Sequence, residues 1–355
     1  MVPYWGMVVN PRFLVASLCF SSGAWCLASP PQYSVHLIGN LGDTLFPDDI
    51  NSSGLITGRA TTTKPFVFSP DTGYSVLNTP PNGGDRLYRM SVNSSGTLCG
   101  SMQQGDFGYG FVWTQSAGYT SLGSKTWVND ISDDGQMCGA QWVGGSQFPT
   151  TWSDATHKSL LSVPSGTLDG VATSRNNLGQ TVGFYENGNE AWTALWSPQG
   201  VRMELQGVSS SEPRINNNGL VSGVDSGGHA YYWTLAQGAT VVSPLSGFQS
   251  QWFFGSNDMD MIVGYSDKGG VSRATLFAAS FGNVDINSLV DSTGDGWVLE
   301  TASAINASGT IIGRGKYNGQ TAAFYATVVP EPAPGALFGA MTFLVLRRRK
   351  HRRAG

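Results

Sequence analysis

Read by its alternation of apolar and polar positions, the chain breaks into short strands separated by Gly- and Asn-rich turns, not into helical stretches. The phrase INNNGLVSG, Ile215 to Gly223, has only Ile215, Leu220 and Val221 apolar and reads as a turn running into a short strand. Near-copies recur as INSSGLITG (50–58), VNSSGTLCG (92–100), ISDDGQMCG (131–139), RNNLGQTVG (175–183), the degraded SNDMDMIVG (256–264) and INASGTIIG (305–313). Their final glycines fall at 58, 100, 139, 183, 223, 264 and 313, at intervals of 39 to 49 residues. That is the period of propeller blades. After each phrase comes an apolar, aromatic strand, for example GFVWTQ (110–115), TALWSP (193–198) or AYYWTL (230–235). Most of these are followed by a third strand, such as GYSVL at Gly73 or GVRMEL at Gly200. One unit therefore predicts about four short strands per ~42 residues.

Two architectures share this period, a closed propeller and an open β-solenoid of stacked hairpins. The ends of the array separate them. The seventh unit stops after AAFYAT (322–327) without a closing strand, whereas the first is preceded by an orphan, YSVHLIGNLG (33–42), that resembles one. Pairing the two closes a ring and removes the exposed sheet edges. The expectation is an all-β, seven-bladed β-propeller over residues 31–328, within a repeat domain of 29–328. The units also resemble the HAF family of extracellular repeats, which pairs an Ile-Asn-x-x-Gly-x-x-x-Gly phrase with a His-Ala-Phe strand. Gly227-Gly228-His229-Ala230-Tyr231 comes nearest, with Tyr in place of Phe. That resemblance implies a fold and an extracellular location more than an activity.

The two ends read as addresses. A lone Arg12 precedes an apolar run from Phe13 to about Leu27, with a small-residue cut site after Ala28: the layout of a secretory signal over residues 1–28. A buried first strand or a membrane anchor is the alternative. At the other end, Val329-Pro330-Glu331-Pro332 leads into an apolar segment, Ala333 to Leu346, and then Arg347, Arg348, Arg349, Lys350, Arg352 and Arg353. As a helix, 14 residues span about 21 Å, short of the ~30 Å of hydrocarbon in a bilayer. The basic residues would hold this end on the cytoplasmic side. The arrangement over 329–355 resembles the PEP-CTERM sorting tail, matched residue by residue at Pro330, Glu331 and Pro332. The resemblance implies transient residence in the inner membrane and recognition by an exosortase-type sorting enzyme. Cleavage near the motif would release the protein to the cell surface, outer envelope or exopolysaccharide matrix. An ordinary tail anchor is the alternative.

Charge sharpens this picture. The net value of –4 hides a basic tail, and residues 29–330 carry 13 basic and 23 acidic side chains. An acidic middle argues against nucleic acid or anionic lipid as its partner.

Candidate chemistry is sparse. The four histidines are His36, His157, His229 and His351, and no Gly-x-Ser-x-Gly elbow occurs. No catalytic residue is assigned, so the expected role is non-enzymatic binding within the envelope or exopolysaccharide matrix. A polysaccharide hydrolase or lyase with a loop-built site is the alternative. No cofactor is expected; two loops, Asp130-Ser132-Asp134 and Asp291-Thr293-Asp295, resemble the first half of a calcium loop but lack its closing glutamate. The second, with Asp291 and Asp295, leads because it is an insertion. Cys99 and Cys138 occupy the same slot of neighbouring units and are expected as buried free thiols, with a disulfide as the alternative. Trp113, Trp152, Trp196 and Trp233 recur at one strand position and are expected in the core. The less regular Tyr109, Trp142, Tyr185, Trp192, Trp252 and Phe253 are the candidates for binding, several of them on loops.

Overall fold

The computed structural model describes residues 29–81, 84–210 and 212–330; the signal segment with Ala28, and Glu331, Pro332 and the basic tail, lie outside the described residues. Seven antiparallel sheets form the blades of a ring, so the chain is a seven-bladed β-propeller. The first blade runs Phe46–Ile50, Ile56–Arg59, Pro65–Ser69 and Gly73–Val76 from the axis outwards. The second has a split inner strand, Arg86–Leu87 and Ser91–Val92, both paired to Leu98–Gln104. Tyr33–Ile38 pairs with Gln320–Val328 in continuous register from Tyr33↔Val328 to Ile38↔Ala323. The orphan strand thus completes the last blade, and the open solenoid falls.

Each repeated phrase is the hairpin between the inner and second strands, and its two glycines answer different demands. In the fifth blade Gly219 has φ +81°, and its N–H bonds to the Asn216 carbonyl to close the turn. A left-handed residue is needed there; in the degraded sixth copy Asp260 takes that conformation at φ +56°. The last glycine faces a β-bulge. The register between inner and second strands slips at Phe253/Gly255, opposite Gly264, and drives the Trp252 carbonyl inward. A Cβ on Gly264 would lie 1.7 Å from that oxygen. Gly58, Gly139, Gly183 and Gly313 meet the same obstacle at 1.8–2.1 Å. In these five blades the repeat's final glycine is therefore a packing requirement.

The asparagine of the phrase does two things at once. Asn216 Oδ1 accepts from the N–H groups of Asn218 and Leu220, which locks its own turn. Its Nδ2 reaches across to donate to the Asn257 carbonyl of the next blade at 2.8 Å. Asn51, Asn93, Asn176, Asn257 and Asn306 repeat the second contact, at 2.9–3.2 Å, onto the equivalent carbonyl one blade on. Asn306 hands the belt back to Asn51. One link is missing, from the third blade to the fourth, where Ser132 stands in the asparagine slot and its hydroxyl stays within its own turn.

Between blades the packing is apolar. Trp152 joins Cys99 and Leu122 of the preceding blade, and Trp233 and Tyr231 join Val182 and Leu195. Trp152, Trp196 and Trp233 are buried as expected, whereas Trp113 is only half-buried against its cluster. Cys99 and Cys138 are fully buried and unbridged, and burial pushes both thiols well above their usual range.

One deletion and two substitutions test ring closure and the belt. Removal of residues 31–40 from the full chain should abolish cooperative unfolding; an unchanged melting curve would contradict ring closure. Asn306→Asp keeps the shape but deletes the donor, and should cost about 1–3 kcal/mol, read as a lower melting midpoint. Ser132→Asn supplies the missing donor and should raise the midpoint, by about 1 kcal/mol of stability.

Candidate functional site

The seven inner strands enclose an axial channel, and the residue two positions before each belt asparagine faces it. These are Asp49, Ser91, Asp130, Ser174, Arg214, Gly255 and Ala304. From the first blade to the fourth they form a hydrogen-bonded arc. Ser91 Oγ lies 2.7 Å from Asp49 Oδ2 and 2.8 Å from Asp130 Oδ1, and Ser174 Oγ donates to Asp130 Oδ2 at 2.8 Å. The N–H groups of Val92, Ile131 and Arg175 also donate to these carboxylates. The one hydroxyl hydrogen of Ser91 lies between two half-buried carboxylates and can be donated to only one at a time. Burial first, and the Asp130 charge second, raise the pKa of Asp49.

The channel widens at both ends. On the hairpin side, a cavity of about 240 Å³ is lined by residues of all seven blades. Its rim is a second polar chain: Ser94 N–H donates to Asp133, Asn177 exchanges two bonds with Asp133, and Asn217 makes two with Asp258. On the opposite side, where the inner strands begin, lies a cavity of about 350 Å³ set among blades two to five. Tyr88, Trp127 and Phe184 wall it; Arg89, Asn129 and Arg214 lie at its base and also line the narrow middle of the channel. Trp127 meets Tyr88 edge to face, with centroids 4.6 Å apart, and sits over Gly108, where a Cβ would come within 2.5 Å of the indole. Tyr88 is held by its hydroxyl, which donates to Gln103 Oε1 at 2.8 Å.

The two arginines stand apart from the acid arc. Arg214 donates from Nη1 to the Thr173 carbonyl. Burial, and then the neighbouring Arg89, lower its pKa to about 10, so it remains charged at neutral pH. Among the described residues neither arginine has a carboxylate within ion-pair distance. Asp48 is taken by a bidentate pair with Arg59, at 2.9 and 3.0 Å. Asp49 and Asp130 are occupied by hydroxyl and backbone donors.

Several expected residues lie elsewhere. The six aromatic binding candidates sit on strands, not loops, and two of them are core: Tyr185 and Phe253 are buried, inside clusters between blades. Trp192 stacks on Tyr185, and Trp252 stacks on Tyr265, on the sheet surfaces. Of the calcium-loop residues, Asp130 faces the channel while Asp134 accepts from Ser132 and Gln136 in its own turn. Asp291 caps a 3-10 turn through Thr293 and accepts from Ser34, tying the insertion to the closing strand; Asp295 ends that turn. Among the described residues no three His, Cys, Asp or Glu side chains converge on a metal position. Arg89, Arg214, Tyr88, Trp127 and Phe184 were not among the sequence candidates. One signal was present: the slot before the asparagine carries Asp, Ser or Arg where a purely structural repeat would keep one residue.

No protein-family model and no curated protein matches the chain. Among solved structures it is similar to a catalytically inactive virginiamycin B lyase from Staphylococcus aureus with quinupristin, at 9% identity over 84% of this chain and 100% of that one, TM-score 0.56. It is also similar to YCF48 bound to D1 peptide, at 10% identity over 87% and 99%, TM-score 0.55. A streptogramin B lyase matches at 9% identity over 87% and 100%, TM-score 0.52. At such identities the likeness is one of fold alone.

The arc predicts a titration. In a carbon-13 experiment Asp49 should protonate at a higher pH than free aspartate, because burial and the Asp130 charge outweigh its hydrogen bonds; a midpoint at or below the free value would contradict that balance. Because the folded chain holds this proton more tightly, Asp49 contributes stability below the unfolded pKa and loses it as pH rises through the folded value.

Proposed function

We propose that this chain is a secreted or cell-surface, non-enzymatic propeller of the cell envelope or exopolysaccharide matrix, binding glycan at the aromatic mouth of its channel. The observation that carries the binding role is the lining of that mouth. Aromatic faces, Asn129 and Gln147 offer stacking and hydrogen bonding, while the one carboxylate is the exposed Glu212 at the rim. Glycoside cleavage by paired carboxylates needs a second acid across the bond. The location rests on the sequence: a signal segment ending at Ala28, and Pro330, Glu331 and Pro332 ahead of an apolar, basic tail, which an exosortase-type enzyme would process.

Intact mass of the protein recovered from the native envelope and medium should lack residues 1–28 and the segment beyond the Pro-Glu-Pro motif. A mass that retains Arg347 to Gly355 would mean an anchored protein. The recovered protein should be held by a column of matrix polysaccharide without generating reducing or unsaturated ends. Release of such ends would replace the binding role with that of a hydrolase or lyase.

A further inference from the structure

We infer that the base of the channel mouth is a carboxylate-recognition site, in which Arg89 and Arg214 grip the acid group of a uronate at the end of a glycan chain. This rests on the glycan-binding role proposed above and names the sugar.

Two guanidiniums share one cavity base, Arg89 close enough to depress the pKa of Arg214, and the fold gives neither an ion-pair partner among the described residues. The acids beneath them are already committed, and Glu212, exposed in the same lining, makes no ion pair with either arginine. Asp48 belongs to Arg59, and Asp49 and Asp130 are filled by N–H and hydroxyl donors. Two like charges confined together weaken the fold unless an anion sits between them, and guanidinium forks match a carboxylate in geometry. Arg214 uses one N–H on Thr173 and keeps the others.

The rest of the cavity selects among anions. Below the arginines the channel is lined by Asp49 and Asp130, whose carboxylates oppose a dianion such as phosphate more strongly than a single negative charge. Above them, Tyr88, Trp127 and Phe184 present aromatic faces suited to the C–H face of a sugar ring. Asn129 and Gln147 lie within the same lining for ring hydroxyls. The volume, about 350 Å³, is at the small end for ligand sites and fits a chain end better than a chain interior.

The test is calorimetry on the full chain with trigalacturonate and with the same trimer methyl-esterified at its carboxyls. The acid trimer should bind at least tenfold more tightly than the ester. Arg89→Gln should erase that difference without lowering the melting midpoint, and Arg89→Lys should restore part of it. Equal affinity for acid and ester in the unaltered chain overturns the inference, whatever the variants do. So does an Arg89→Gln variant that keeps the preference, or a peptide with a free C-terminal carboxylate that binds more tightly than the trimer. If the acid trimer fails to bind while matrix polysaccharide is still retained, this inference falls and the glycan-binding role stands. If the trimer binds but matrix polysaccharide passes through, the carboxylate site stands and the matrix role falls.

Discussion

The ring depends on one side chain that carries an acceptor and a donor on adjacent atoms. In each complete repeat the asparagine Oδ1 closes its own hairpin, and Nδ2 fixes the carbonyl of the next hairpin. Aspartate would keep the first contact and lose the second; Ser132 makes neither, donating its hydroxyl to Asp134 or to the Gln136 carbonyl while Asp134 accepts the Gln136 N–H. The bond is buried, and a buried carbonyl left without its donor is costly. Six blade boundaries thereby have their distance and tilt set, and the ring closes on the pairing of Tyr33–Ile38 with Gln320–Val328. Apolar packing between blades supplies adhesion, but it is non-directional. The belt supplies the angle.

How much of this was legible in the sequence follows from the distance over which each feature acts. The hairpins could be read because Asn-x-x-Gly turn chemistry is local. The orphan strand could be read because the count of strands came out uneven at the two ends. The belt could not: its donor and acceptor lie about forty residues apart, and nothing in a single phrase distinguishes an asparagine that caps a turn from one that also spans a blade boundary. Tyr185 and Phe253 misled for a related reason. They broke the aromatic periodicity and so looked free for binding, but the strands Thr181–Glu186 and Ser250–Ser256 extend beyond the repeated phrases and carry them into the interior. Arg89 and Arg214 belong to different blades and meet only because the ring closes.

The third blade shows how the scaffold tolerates a departure. With Ser132 in the slot, the link to Asn176 is absent, and other contacts cross the same boundary. Asp133 and Asn177 exchange two bonds at the rim, while Asp130 accepts from Ser174 and from the Arg175 N–H in the channel. The boundary is held by charged and polar side chains on either side of the place where the belt would run. Substitution at a repeat position is tolerated when the neighbouring positions take over its hydrogen bonds.

That tolerance bears on where function resides. A repeat that kept every slot identical would line its channel with seven copies of one side chain and recognise nothing less symmetric than itself. Here the slot facing the channel reads Asp, Ser, Asp, Ser, Arg, Gly, Ala around the ring. The hydrogen-bonded arc covers blades one to four, Arg214 stands in blade five, and the small residues occupy six and seven, where Phe254 also lines the channel. The wide mouth opens over blades two to five, on the polar side, with the aromatic walls and both arginines. The asymmetry of the channel and the position of the mouth coincide, so the residues that break the repeat are the ones that shape the site. The belt holds the frame constant, and that constancy lets the slot beside it vary.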